Sequence, residues 1–355
     1  MLIFPTIPMS PFGKFLFCLT LLAASRLSST LFAEAPPAPG VDSASRNASC
    51  LALARETGIR SEGGTGRNFV ISPLSIHAAL AMVTAGARGD TRRELLGFLG
   101  SASLDELHRA PAIKLVGRLN GLKQTSFACG VWVDQRLALR PEFTVTAASR
   151  YGAMPFHIPG GTTGRVPSMT TSRSQRIAVY PGFRALKLPY KNDVQQQAEF
   201  YMLILLPDSE TEIADLYDKA VSTPEFIKTH SPTGKVPVGR FMVPKFKFTS
   251  KFELSSDMRK LGVTRAFEGG DFSGMMTGGE GLSINGVYHK ATIEVDEQGT
   301  VAAAATAIVM EGSALPSEPP HFVDFVADRP FLFAVVEERT STVLFLGHVV
   351  NPQLG

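Results

Sequence analysis

A chain of 355 residues that is 44% hydrophobic and 19% charged has enough apolar material for one large or two ordinary domains, which excludes a disordered chain. Its 35 basic and 32 acidic residues, a formal charge of +3, form no long run of one sign, so charge gives no ground for nucleic-acid binding. Three cysteines, Cys18, Cys50 and Cys129, cannot build a disulfide framework. No C-x-x-C or H-E-x-x-H spacing supplies ligands, so neither a metal nor another cofactor is expected.

Residues 1–40 read as a leader and a linker. No acid occurs before Glu34, and Lys14 precedes an apolar block, Phe15 to Ala24, that is too short to span a bilayer. Ala33-Glu34-Ala35 offers small residues at a cleavage site, as in a secretory signal. The basic, Ser-rich Arg26 to Thr30 suits an organelle transit peptide as well, so both readings stand. The mature chain is expected to carry no membrane segment, to be secreted if the leader is a signal peptide, and to be cytoplasmic otherwise. Asn47-Ala48-Ser49 is a glycan acceptor only if the chain is exported. Pro36-Pro37-Ala38-Pro39-Gly40 is a linker, and residues 41–355 form one domain.

The first strong helix signal is Ser72 to Gly86, with Ser72 as N-cap, Pro73 at the first helical position and Gly86 as terminator. It is apolar nearly all round, so it must be enclosed, and His77 within it reads as a packed histidine rather than a base. Thr91-Arg-Arg-Glu94 has the spacing of a capping box for a second helix, and Ser103 with Glu106 that of another.

Further along, strand patterns take over. Phe127 to Val133 and Phe200 to Leu206 are strands, the latter closed by Pro207-Asp208. Phe241 to Phe248 sets Lys245 and Lys247 against Phe246 and Phe248 with period two, the pattern of a half-buried strand. A basic, aromatic surface for single-stranded nucleic acid uses the same residue types, but the alternation puts rings and lysines on opposite faces. Asp324 to Val336 and Thr342 to Val350 give two more strands.

Enzyme chemistry is not indicated. Gly270-Asp-Phe-Ser-Gly274 places its serine one position late for a nucleophile elbow, and Gly234-Lys235 lacks the rest of a phosphate loop. The unusual segment is Glu297-Gln-Gly-Thr-Val-Ala-Ala-Ala-Ala-Thr-Ala-Ile-Val-Met310, after a strand-like Thr292 to Asp296. By propensity alone its alanines favour a helix.

In its motifs the chain resembles the serpin family, and closely its plant branch. Asn68 to Ile76 is similar to the family's N-terminal strand and buried helix, and Gly86 to Thr91 to its helix-joining turn. His289 to Thr300 resembles the strand and hinge before the reactive loop. Phe325 to Phe333 and Phe345 to Pro352 resemble the C-terminal signature. The matches run from about Asn47 to Pro352.

The resemblance implies an α+β fold: a helical N-terminal part packed on mixed and antiparallel sheets, with an exposed reactive-centre loop over residues 297–322. It implies a monomeric inhibitor of serine proteases that acts as a suicide substrate, its loop being cleaved and its hinge entering the main sheet as a strand. The hinge is Glu297, Gly299, Thr300, Val301, Ala302, Ala303, Ala304, Ala305 and Thr306. As a strand it turns Thr300, Ala302, Ala304 and Thr306 to one face and Val301, Ala303 and Ala305 to the other, and small side chains limit clashes on entry. Family spacing from Glu297 puts the bait bond at Ser313-Ala314, with Gly312-Ser313 as competitor and Leu315-Pro316 disfavoured by its proline. A small residue at Ser313 suits an elastase-like partner rather than a pocket that needs a cation.

Two departures qualify this expectation. After Tyr151 the chain passes almost directly to Phe156, which omits an edge strand, an overlying helix and the central strand that resemblance places beside the strand of His289. Of the family's central hydrogen-bonding cluster, Ser72, Ser75 and His289 match and the asparagine has no equivalent. A lost strand predicts an open sheet edge or closure of its neighbours on each other. A non-inhibitory serpin, whose loop is only a substrate or binding element, is the alternative.

Overall fold

The computed structural model describes residues 15–24, 48–60, 67–119, 125–132, 140–143, 146, 168–169, 171–190, 199–295 and 322–352. Around α2 (Pro73–Gly86) the helical part gathers: α1 (Ala48–Arg60), α3 (Gly89–Phe98), α4 (Leu104–Arg109) and α5 (Pro111–Leu119). The α2 start is as its sequence dictates, because the Ser72 hydroxyl accepts from the Ser75 N–H with Pro73 in the first turn. All of α2 but Ala85 is buried, and it packs against helices on one side and sheets on the other. His77 is enclosed with it.

The expected capping box of α3 does not form. The helix begins three residues earlier behind Arg88, which makes no side-chain cap, so Thr91 and Glu94 lie inside it. Both are used elsewhere: the Thr91 hydroxyl accepts from Asp271 N–H, and the Glu94 carboxylate accepts from the N–H groups of Thr264 and Arg265 and from the Thr264 hydroxyl. Ser103, by contrast, caps α4 by accepting from Glu106 N–H.

Among the described residues three sheets follow. The largest is fully antiparallel, in the order β2 (Phe69–Ile71), β13 (Val343–Val349), β12 (Phe331–Glu337), β7 (Phe200–Pro207), β6 (Phe183–Pro189) and β5 (Arg176–Tyr180). β12 and β13 are buried at every position, which explains their unbroken apolar runs. Gly347 lets β2 approach β13 closely: a Cβ there would stand 2.1 Å from the Phe69 carbonyl oxygen. The smallest sheet orders β11 (Val323–Val326), β8 (Val238–Pro244) and β4 (Ser168–Met169).

Two predicted strands turn out to be pairs. Phe241 to Phe248 breaks at Pro244-Lys245, where β8 ends in one sheet and β9 (Phe246–Glu253) begins in another, and a proline that cannot donate stands at the junction. The alternation survives within β9, with Phe246 and Phe248 buried and Lys247 exposed. Asp324 to Val336 likewise splits into β11 and β12 around Asp328 to Pro330.

The third sheet orders β3 (Thr125–Trp132), β1 (Phe15–Ala24), β10 (Ser283–Val295) and β9. The apolar block of the leader is thus a sheet strand. It runs parallel to β3 and antiparallel to β10. The expected open edge or closure of neighbours beside β10 does not occur, because β1 fills the position. The remaining short helices are α6 (Ile213–Ser222), α7 (Phe226–Thr229) and α8 (Ser255–Lys260). Among the described residues no helix is long and apolar enough to cross a membrane.

Candidate functional site

The site is the frame from which the predicted loop departs. β10 alternates strictly in its second half: Val287, His289, Ala291, Ile293 and Val295 are buried, while Tyr288 is exposed and Lys290, Thr292 and Glu294 are half-buried. On the outer face the Thr292 and Thr249 hydroxyls lie 2.8 Å apart, and Lys247 Nζ meets the Glu294 carboxylate at 2.9 Å. These pairs fix β10 to β9 in the register Ile293 to Phe248 up to its last residue. The chain reappears at exposed Phe322 and enters β11, which runs parallel to β8.

The stretch between the two anchors carries Glu297, Gly299, Thr300 to Thr306, Ser313 and Ala314, all of which lie outside the described residues. So do Asn47, Tyr151 and Phe156.

Beneath β10 the predicted cluster is assembled. The Ser72 N–H donates to His289 Nε2 over 3.0 Å, the Ser72 hydroxyl donates to the Leu344 carbonyl over 2.7 Å, and Ser75 N–H donates to the Ser72 hydroxyl over 3.3 Å. Ser72 thus joins β10, β13 and the first turn of α2. Because Nε2 accepts, the neutral ring carries its proton on Nδ1, which has no partner among the described residues; neither has the Ser75 hydroxyl. Burial pushes His289 down to about 3. The same cause takes His77 to about 4 with both ring nitrogens unpartnered among the described residues. Burial also lowers His348 to about 4, opposed by a hydrogen bond to the Arg67 carbonyl. Burial thus favours the neutral form of all three imidazoles.

Sequence reading missed two members of this frame. Ser250 on β9 accepts from the Val70 N–H over 3.0 Å and ties β9 to β2. Asn68 clasps the residues that follow β13, its amide oxygen accepting from the N–H groups of Val350 and Asn351 and its amide nitrogen donating to the Asn351 carbonyl. A polar residue just before a buried strand was the available signal. No group of three or more His, Cys, Asp or Glu that could hold a metal occurs among the described residues.

A family model described as Serpin (serine protease inhibitor) matches residues 45–155 and 148–352. The chain belongs to the serpin family. Serpin-Z12 of Oryza sativa subsp. japonica is 52% identical over 402 aligned positions, covering 90% of this chain and 93% of the relative. Serpin-ZXA of the same plant is 34% identical and covers 86% and 95%. Among solved structures, Arabidopsis AtSerpin1 in a native stressed conformation matches with a TM-score of 0.73 and 28% identity over 88% of this chain and 100% of that one. The serpin fold, with its mixture of helices and antiparallel sheets, accounts for the architecture, and the chain is a member of an inhibitor family rather than a catalytic enzyme.

Proposed function

We propose that this serpin presents residues 297–322 as a bait loop to an elastase-like serine protease, with Ser313-Ala314 as the scissile bond and Glu297, Gly299 and Thr300 to Thr306 as hinge. The protease serine attacks the Ser313 carbonyl, the amine of Ala314 leaves as a new N-terminus, and an ester joins enzyme and Ser313 until water hydrolyses it. Inhibition requires the hinge to enter the sheet before that hydrolysis. The observation that carries this reading is β10 itself, a strand held to its last residue by β9 and followed directly by a small-residue segment suited to strand addition.

A second reading, that the intact chain is cut without trapping its protease, is favoured by β1. The neighbour position of β10 is occupied along most of its length, so the hinge has no free partner there. The same reading is strengthened if a segment is lost after Tyr151, a deletion we propose because the family model matches in two stretches that overlap at 148–155. The alignment to serpin-Z12 also spans 402 positions, although 90% of 355 residues is only about 320.

Incubating the full chain with elastase and resolving the products on a denaturing gel tests both. A protease-linked band identifies the trap. A chain cut after Ser313 with free, active protease identifies the substrate, and an uncut loop overturns both.

A further inference from the structure

We infer that Phe15–Ala24 is a built-in occupant of the strand-acceptor slot of β10, and that the slot accepts the hinge only after this segment leaves. The inference deepens the bait-loop reading and rests on it.

The ladder is extensive. β1 is in register with β10 from Leu16 opposite Thr292 to Ala24 opposite Ser283, with one irregularity between Leu22 and Ala23, and with β3 from Phe15 opposite Thr125 to Leu22 opposite Trp132. A strand held on both sides leaves no backbone donor or acceptor row for another. Its sequence suits the place: Phe-Leu-Phe-Cys-Leu-Thr-Leu-Leu-Ala-Ala has no charge, proline or glycine, as expected of an interior strand.

Its polarity matters more. A chain that leaves β10 at Val295 and folds back must run antiparallel to β10, and β1 already runs that way. Leu16 opposes Thr292, three positions short of Val295, so a hinge that folds back at Val295 meets an occupied ladder after three positions. The two segments compete for the same backbone groups. A leader that is retained therefore seals the slot, and one that is removed opens it.

The test uses the full chain. With Cys50→Ala and Cys129→Ala, Lys290→Cys faces the native Cys18. With all three native cysteines replaced by alanine, Phe17→Cys faces Ala291→Cys. Adjacent antiparallel positions alternate in spacing, so at least one pair has disulfide geometry and should oxidise in the folded protein. Amide hydrogen exchange on the unmodified chain checks this without substitution: Leu16 to Leu22 should be protected together with β10.

A viral-protease site placed between Arg26 and Glu34 then nicks the folded protein, and elastase cuts the loop. The melting temperature should rise by several degrees when the disulfide is reduced and the leader is free to depart, and should stay unchanged while it is locked. Absence of both crosslink and protection overturns the inference, as does a rise with the leader locked. Crosslinking and protection without any rise upholds β1 as occupant and overturns the bait-loop reading instead.

Discussion

The N–H of Ser72 donates to Nε2 of His289 across 217 positions of sequence, joining the start of the buried helix α2 to the middle of β10. The bond is enclosed, so losing its acceptor strands a buried donor. We expect His289→Phe to lower unfolding stability by about 1–3 kcal/mol, read as a lower urea midpoint, and His289→Gln, whose amide oxygen can accept, to lose much less. Equal losses would assign the effect to ring packing.

Acid should weaken the fold well above the carboxylate range. His77, His289 and His348 are held near 4, 3 and 4 by burial, whereas an unfolded chain protonates them at about 6.5. Between those limits the unfolded state binds more protons, so stability is complete above pH 6.5 and falls as the pH drops toward 4. Urea titrations at pH 7, 6 and 5 should show a steadily falling midpoint, and His77→Leu should flatten the slope.

Glycine positions separate close approach from mere presence. Gly347→Ala forces a methyl against the Phe69 carbonyl and should cost about 1–3 kcal/mol or more, with loss of soluble protein. Gly97→Ala, in α3 with open space around it, should instead stabilise by about 0.5–1 kcal/mol. Thermal melts of the two variants should move in opposite directions.

Limited elastase digestion of the native chain should cut first between Met310 and Leu315, because that stretch is rich in small residues and flanked by Pro316, Pro319 and Pro320. Fragment masses decide. A first cut in another segment removes the case for a bait loop at Ser313-Ala314.

Where local chemistry and tertiary placement agree, the sequence was readable. Ser72 and Pro73 announce α2, and the apolar runs of β12 and β13 announce buried strands, because each signal acts within a few residues. Thr91 and Glu94 misled because their oxygens are used by Asp271, Thr264 and Arg265, some 170 to 180 positions away. Phe15 to Ala24 was legible as an apolar run but not as a strand. An export signal and an interior strand both need an uncharged apolar run, and only the partner strand distinguishes them. Asn68 stands just before a buried strand, which marks it locally, but its partners and those of Ser250 lie at chain distances that no local pattern reports.

The Ser72 hydroxyl bonds the Leu344 carbonyl 272 positions later, and β2 pairs with β13. At synthesis rates of about 5–20 residues per second, the ribosome needs roughly 15–55 s to deliver that partner after Ser72 emerges. For all of that interval α2 lacks β13, and the part of its apolar surface that β13 covers is open to chaperones and to other nascent chains. Slowing translation between α2 and β12 should therefore increase the aggregated share of newly made protein, whereas the same pause placed after β13 should not.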